Sequence, residues 1–403
     1  MLSYEQARQK VVEQLEKLTR PCTTSTVSVW DALGFVLAHD IVTDREYPPF
    51  DRSTRDGYAV RASEVALGGT SHCVGEIKAG DAVTEPLAPG TCIQIMTGAA
   101  APSGADAIVM IEHTQREGDT VRFERTAHAG QNIVPRASEA TAGQTILKSG
   151  AHLGYAELAL AAQVGATNLL CAAKPRVAIL STGDEIVPID QTPGPFHIRN
   201  SNSVSLAAQV RLSGGEPVLL GTASDRADDI GEKMERGLLE DALVLSGGVS
   251  MGKYDLVEVA LKALGAEFHF DAVAIRPGKP AVFATCKGKP VFALPGNPVS
   301  TMVTFNLFVA LAIDLLNGAA PRPLPLLEAK LGEALHEKTG LAHFLPARVD
   351  WNGRGPIVKA LKWQGSGDIA TLARANCFLV VPSDRDIVPA GENVTVILRK
   401  DIV

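Results

Sequence analysis

Carboxylates, cations and glycine turns gather in four loops of this sequence, and each loop begins where a short apolar run ends. STGDE at 181–185 joins a hydroxyl-rich strand end to two adjacent carboxylates, Asp184 and Glu185. SGGVSMG at 246–252 supplies Gly247 and Gly248, which let the backbone approach a phosphate or a planar ring closely, with Ser250 in the same turn. Asp255 follows, and on the residues alone it reads best as a helix cap. RPGKP at 276–280 places Arg276 and Lys279 on opposite sides of a Pro-Gly turn. Two cations so placed form a pincer for a tetrahedral oxyanion, whereas a solvated turn would more often carry Asn, Asp or Ser. LPGNPVS at 294–300 brings Ser300 to a helix start, as a ligand contact or an N-cap alike. Neither Gly-rich loop fits a Walker or Rossmann pattern. Together the groups suggest metal-assisted chemistry on a phosphate-bearing or oxyanion ligand.

Two further segments carry weaker signals. PPFDRSTRDGYAV at 48–60 is polar and turn-like, and Asp51 or Asp56 in it could bind Mg²⁺ or act as a base, while an Asx-turn fits equally well. IMTGA at 95–99 puts Thr97 and Gly98 after a strand, where a hydroxyl and free N–H groups can meet an anion.

Positioning these groups requires a particular architecture. The runs beginning at 176, 242, 270 and 290 are four to six residues long, aliphatic or β-branched, and bounded by Gly or Pro, so they predict buried strands. Helical segments at 202–212, 225–240 and 256–264 alternate with them, which implies a largely parallel, doubly wound sheet whose ligand lies beyond the strands' carboxyl ends. A helix is expected at 3–18, with Ser3 and Gln6 as a capping box, and helical periodicity returns at 155–164. If these two pack together, the alternating short runs between them form an inserted β domain. A long helix at 299–317 stops at Asn317-Gly318, the PRPLP segment at 321–325 is a linker, and short strands follow to the end. The expected units are 1–45 with 143–173, 46–142, 174–318 and 319–403.

Composition sets outer limits. With 403 residues, 46% hydrophobic and 21% charged, the chain can bury several cores. A net charge of −7 argues against nucleic acid as the main partner and leaves any anionic ligand to local cations. The six cysteines form no C-x-x-C pair and read as buried free thiols of a reducing compartment. The N-terminus lacks an apolar signal region, and the most apolar stretch, 302–316, is interrupted by Asn306 and Asp314 and falls short of a membrane span, so a cytoplasmic protein is expected.

Taken in order and spacing, FDRSTRDGYAV, IMTGA, LSTGDE, LSGGVSMGKYD, RPGKP, LPGNPVS and GSGDIATLARANC resemble the molybdopterin molybdenumtransferase family, MoeA and the E domain of gephyrin. The resemblance implies a multidomain α/β plus β fold: a doubly wound α/β domain like the molybdopterin adenylyltransferases, a small β-rich inserted domain and a C-terminal β-barrel-like domain. It implies insertion of molybdate-derived metal into adenylylated molybdopterin with release of AMP, assisted by Mg²⁺ or Zn²⁺. It also implies an elongated homodimer whose site lies between the α/β domain of one subunit and the inserted domain of its partner, with the adenylyltransferase and acceptor molybdoenzymes as further partners.

By motif position, Asp56, Thr97, Glu185 and Asp255 look like the polar residues of insertion and cleavage. Ser250, Gly247 and Gly248 look like pterin or phosphate contacts, and Arg276, Lys279, Ser300 and Ser366 like the oxyanion pocket. Asp184, Glu185, Asp255 and Glu139 are the metal candidates. The chain departs from the family pattern at Glu139, which stands where an aspartate is usual, at Arg276, and at Leu341 and Pro346, which occupy arginine positions that Arg348 would have to replace. A tungstate-using paralogue and a peptide-binding scaffold are the alternatives.

Overall fold

The computed structural model describes residues 1–18, 23–249, 256–353 and 355–402. Ser250 and Asp255 lie outside the described residues, as does Cys22.

The α/β unit is built on a six-stranded sheet in the order Glu216–Ala223, Arg176–Thr182, Ala242–Ser246, Lys289–Leu294, Val282–Cys286, Glu267–Phe270. The first four strands are parallel, Val282–Cys286 runs against them, and Glu267–Phe270 pairs antiparallel with Val282–Cys286. Strand periodicity sends alternate residues to opposite faces. Val177, Ile179 and Val244 pack with Leu206 and Val210 of helix Ser201–Leu212 and with helix Pro298–Thr304 and its continuation. Ala178, Leu180, Leu243 and Leu245 face Ile230 and Met234 of helix Ala227–Gly237 and Val257 and Leu261 of helix Leu256–Ala263. Helices therefore cover both faces, which explains why the central runs are unbroken in hydrophobicity.

Three features differ from expectation. The run at 270–275 is not one strand of the parallel set: it divides into Glu267–Phe270, antiparallel to Val282–Cys286, and Ile275–Arg276, which pairs with Ala342 and His343 of the C-terminal domain. Between them the Val273 N–H donates to Lys279 O at 2.9 Å and closes the turn. Strand Glu216–Ala223 has no clean apolar signature because it is an edge strand, half-exposed and bearing Pro217 where a missing N–H costs no ladder bond. Helix Tyr4–Leu15 has the expected capping box, but its buried face of Ala7, Val11 and Leu15 joins the α/β core and not helix Tyr155–Gln163. The latter packs Ala161 against Leu37, Leu153 and Leu169.

Strand Thr24–Ser28 pairs with Asn168–Ala172, and Ile41–Val42 with Thr145–Leu147, so the backbone is stitched across the intervening segment. That segment carries its own six-stranded sheet, ordered Ala107–Met110, Gly57–Val60, Thr91–Ile95, Thr70–Ile77, Thr120–Phe123, Thr114–Glu117. Gly57–Val60, read from its polar neighbours as a turn, is a fully buried strand inside this sheet. A Cβ on Gly57 would stand 2.0 Å from Val109 O, so the close strand approach admits only glycine there.

At the other end of the chain Leu326–Leu331, Ala342–Asn352, Gly355–Ala360, Cys377–Val381 and Asn393–Leu398 close into a five-stranded barrel, the first and last neighbours joined by pairing of Ala342–Asn352 with Cys377–Val381. The five described cysteines are free and buried. Pro298–Leu316 is long and apolar enough to cross a membrane, contrary to the expectation from 302–316, yet 78% of its apolar window is buried within the protein.

Candidate functional site

The carboxyl ends of the parallel strands and the loops beyond them are tied to one another by a small set of short contacts. Gly247 N–H donates to Leu294 O at 3.1 Å. A Cβ on Gly296 would lie 3.4 Å from Gly247 Cα, so the two loops touch through glycine backbone. Gly247 and Gly248 both have positive φ (95° and 67°), and a Cβ on either would meet Thr182, at 2.7 Å from its carbonyl or 2.8 Å from its hydroxyl. These turns therefore require glycine twice over, by conformation and by space.

Asn202, which the sequence reading treated only as a helix start, is the clasp. Its Nδ2 donates to Ser246 Oγ and Gly296 O, each at 2.7 Å, and lies 3.4 Å from Thr301 Oγ1. Asn200 caps the same helix by accepting from the Ser203 N–H and accepts from Ser181 Oγ at 3.2 Å. The RNSN pattern, two amides around a helix start, was the signal that could have revealed both. Among the described residues, Thr182 Oγ1 and Asn202 Oδ1 are buried without a hydrogen-bond partner, and a ligand that donates hydrogen bonds would satisfy them.

The second half of the crevice is built around the N-terminus of helix Pro298–Thr304. Asn297 is its N-cap residue, so Ser300 stands at the third helical position and the capping role considered for it does not apply. Ser300 is buried. Asn297 Nδ2 donates to Ser366 Oγ at 2.9 Å and the Val299 N–H to Ser366 O at 2.9 Å, which docks the GSGD loop of the C-terminal domain onto this helix end. The cationic turn packs alongside: a Cβ on Gly278 would lie 2.6 Å from Thr304 Cγ2. Arg276 is exposed and Lys279 half-buried. Among the described residues neither has an ion-pair partner, whereas Arg176, Arg226 and Arg322 are each paired with a carboxylate.

Asp184 and Glu185 are exposed at the rim. Asp184 Oδ1 accepts the Asp225 N–H at 3.0 Å, leaving its other oxygen open. No group of three or more His, Cys, Asp or Glu side chains that could hold a metal occurs among the described residues. The fourth metal candidate, Glu139, is engaged elsewhere, 3.0 Å from Arg52.

Asp56 and Thr97 meet as a pair in the inserted domain. Asp56 Oδ1 accepts from the Thr97 N–H at 2.6 Å and from Thr97 Oγ1 at 2.7 Å, and these bonds, the backbone one foremost, hold its carboxyl below the usual aspartate range. The sheet places them: Asp56 precedes strand Gly57–Val60 and Thr97 follows its neighbour Thr91–Ile95. The core clusters of this domain contain no residue of the α/β unit, so the pair is mounted on a core of its own.

Of the departures, Pro346 is buried in the barrel wall and Leu341 is half-buried. Arg348 pairs with Asp350 at 3.1 Å and lines, with Lys362 and Arg374, a cavity of about 680 Å³ that includes none of the expected site residues.

Comparison with known proteins matches this chain along its length. Residues 2–165 match the family model of the MoeA N-terminal region (domain I and II), residues 178–315 that of a probable molybdopterin binding domain, and residues 328–398 that of the MoeA C-terminal region (domain IV). A molybdopterin molybdenumtransferase of Nostoc sp. is 34% identical over 94% of this chain and 90% of its own. Its counterpart in Haemophilus influenzae is 32% identical over 98% of both. The crystal structure of a molybdopterin biosynthesis moeA protein from Pyrococcus horikoshii OT3 superposes with a TM-score of 0.79 at 30% identity, covering 99% of this chain and 100% of that one.

Proposed function

Since the chain belongs to the molybdopterin molybdenumtransferase family, we propose that it inserts molybdate-derived molybdenum into adenylylated molybdopterin, releasing AMP, as a cytoplasmic homodimer. The observation that carries this reading is the crevice in which buried, unpartnered acceptors stand beside uncompensated cations. Thr182 Oγ1 and Asn202 Oδ1 suit the N–H donors of a pterin, and the Gly247–Gly248 backbone admits its planar ring or its phosphate. Arg276 and Lys279 meet the tetrahedral oxyanion as charge-assisted donors, with Ser300 and Ser366 beside them at the helix N-terminus.

A divalent cation fits the donor set in one form. Asp184 and Glu185 offer only carboxylate oxygens, which suits Mg²⁺, an ion held by one or two carboxylates and several waters, better than Zn²⁺, which favours nitrogen and sulfur. Such an ion, with Asp255 as a further ligand, would neutralise phosphate charge. Asp56, ionised throughout the neutral range, serves as an acceptor or cation partner and not as a proton donor. Asp56 and Thr97 are mounted on a core separate from that of the α/β unit, and the partner subunit would supply them, with Glu139 near them. The adenylyltransferase would hand on the substrate, and acceptor molybdoenzymes would take the product.

The test is direct. Purified protein with adenylylated molybdopterin, Mg²⁺ and molybdate should yield stoichiometric AMP and metal-bound pterin, with tungstate run in parallel. Absence of AMP release with every oxyanion and cation would overturn the reading.

A further inference from the structure

The helix that begins at the crevice is not uniformly α-helical. Pro298–Thr304 and Ala310–Leu316 are α, and Phe305–Val309 between them is a π turn. A π turn inserts one extra residue, which rotates everything before it by about 100° relative to an unbroken helix. The rotated part carries Ser300, Thr301 and Thr304. Thr301 Oγ1 donates to Pro295 O at 2.6 Å and lies near Asn202, while Thr304 touches the Gly278 turn. The phase of this helix thus decides which side chains face the Gly-rich loops and the cationic turn.

Two side chains from different elements grip carbonyls of this helix, one within the π turn and one in the α-helical segment before it. Arg8 Nη1, from the N-terminal helix, donates to Leu307 O at 2.5 Å. Gln209 Nε2, about two turns along the helix from Asn202, donates to Met302 O at 3.2 Å. Neither contact is cheap. Arg8 is partly buried with no carboxylate at ion-pair distance among the described residues, and burial lowers its pKa. Gln209 leaves its own Oε1 buried without a partner. Side chains that merely filled space between helices would be apolar, as Val11 and Leu311 are in the same core.

We infer that Arg8 and Gln209 are positioning residues that lock the π turn and thereby set the rotational phase of the helix start, aligning Ser300 and Thr304 with the cationic loop for oxyanion capture. This rests on the oxyanion role proposed for the crevice. The experiment uses the full chain and the variants Arg8→Met, Arg8→Lys and Gln209→Leu, with two independent readouts. Amide hydrogen exchange in Arg8→Met should be faster by about tenfold at 298–309 and unchanged in strand Arg176–Thr182. In AMP-release assays the molybdate concentration for half-maximal rate should rise about tenfold, the effect of losing one charge-assisted contact's worth of alignment, with adenylylated molybdopterin binding unchanged. Arg8→Lys, which can still donate to Leu307 O, should restore both, and Gln209→Leu should move both in the same direction as Arg8→Met. Unchanged exchange at 298–309 overturns the clamp. Faster exchange with an unaltered molybdate dependence overturns the positioning role. Should wild-type protein release no AMP, the functional reading fails by itself, and exchange together with molybdate binding by equilibrium dialysis decides the clamp. If Arg8→Met does not fold, Gln209→Leu and Arg8→Lys carry the same comparison.

Discussion

The crevice of the α/β unit and the Asp56–Thr97 pair of the inserted domain present polar groups in opposite ways. In the crevice, Ser181 with Asn200, and Asn202 with Ser246 and Thr301, form hydrogen-bonded sets that are largely buried, uncharged and cross-linked between loops. Its charges, on Asp184, Glu185, Arg276 and Lys279, sit at half-buried or exposed positions around those sets. The inserted domain offers the exposed Asp56 carboxylate held by one neighbour, in a segment where Arg52 pairs with Glu139 and Arg136 with Glu46. The first region is preorganised to receive a ligand, because its polar groups are fixed by bonds to one another before anything binds. The second is a finger: a carboxylate fixed by its neighbour at the exposed end of two paired strands, which under the proposed function serves the crevice of a partner subunit.

The sharpest way to break this contrast is to separate the two regions genetically. At limiting molybdate, Asp56→Asn and Lys279→Ala proteins should each be nearly inactive alone, whereas mixed and reassociated subunits should recover roughly a quarter of wild-type AMP release, the share expected from random pairing if each heterodimer holds one intact site. Mixtures as inactive as either parent would mean that the finger does not serve a neighbouring crevice.

Within the crevice, charge at the rim should matter more to turnover than to binding. Glu185→Gln keeps shape and removes charge, so adenylylated molybdopterin should still bind by fluorescence titration while AMP release falls by about 10²-fold or more. Wild-type turnover in this variant would return Glu185 to a solvated rim position.

The cationic turn should act on a different substrate. Removing the Lys279 ammonium should raise the molybdate requirement by about one to two orders of magnitude, the cost of one charge-assisted contact, with activity recovered at high molybdate. Loss of pterin-nucleotide affinity with an unchanged molybdate dependence would assign the lysine to the other ligand.

The smallest effect tests how the finger is tuned. Thr97 donates to the ionised form of Asp56 and so depresses its pKa. Whatever Asp56 contributes is therefore present at neutral pH and lost only as pH falls through that lowered value. Thr97→Val removes the hydroxyl but keeps the stronger backbone N–H, so the acid limb of the activity profile should move to higher pH by less than about one unit. An acid limb that stays in place would show that Asp56 ionisation does not limit the reaction.

Much of the α/β framework was legible in the chain itself. Buried parallel strands are continuously apolar, their ends are marked by Gly and Pro, and the Ser3–Gln6 box and the Asn317-Gly318 stop are local geometries that a few residues suffice to specify. Gly57–Val60 escaped for an equally physical reason. A strand of four residues beginning with glycine has no period to read, and only the approach of Val109 explains why glycine stands there. Glu216–Ala223 escaped because an edge strand need not be apolar.

What the residues determined unaided was which groups stand at loop ends: Asp184 and Glu185, Gly247 and Gly248, Arg276 and Lys279, Ser300. Which of those ends touch was decided by the tertiary structure alone. Asn202 reaches Gly296, 94 positions away, and Ser366 reaches Asn297 across 69. The π turn that sets the phase of Ser300 is held by Arg8 across 299 positions. Caps and turns are enforced by neighbours in sequence and leave a local trace, whereas these contacts exist only because burial of separate apolar faces brings acceptors distant in sequence within reach of a donor.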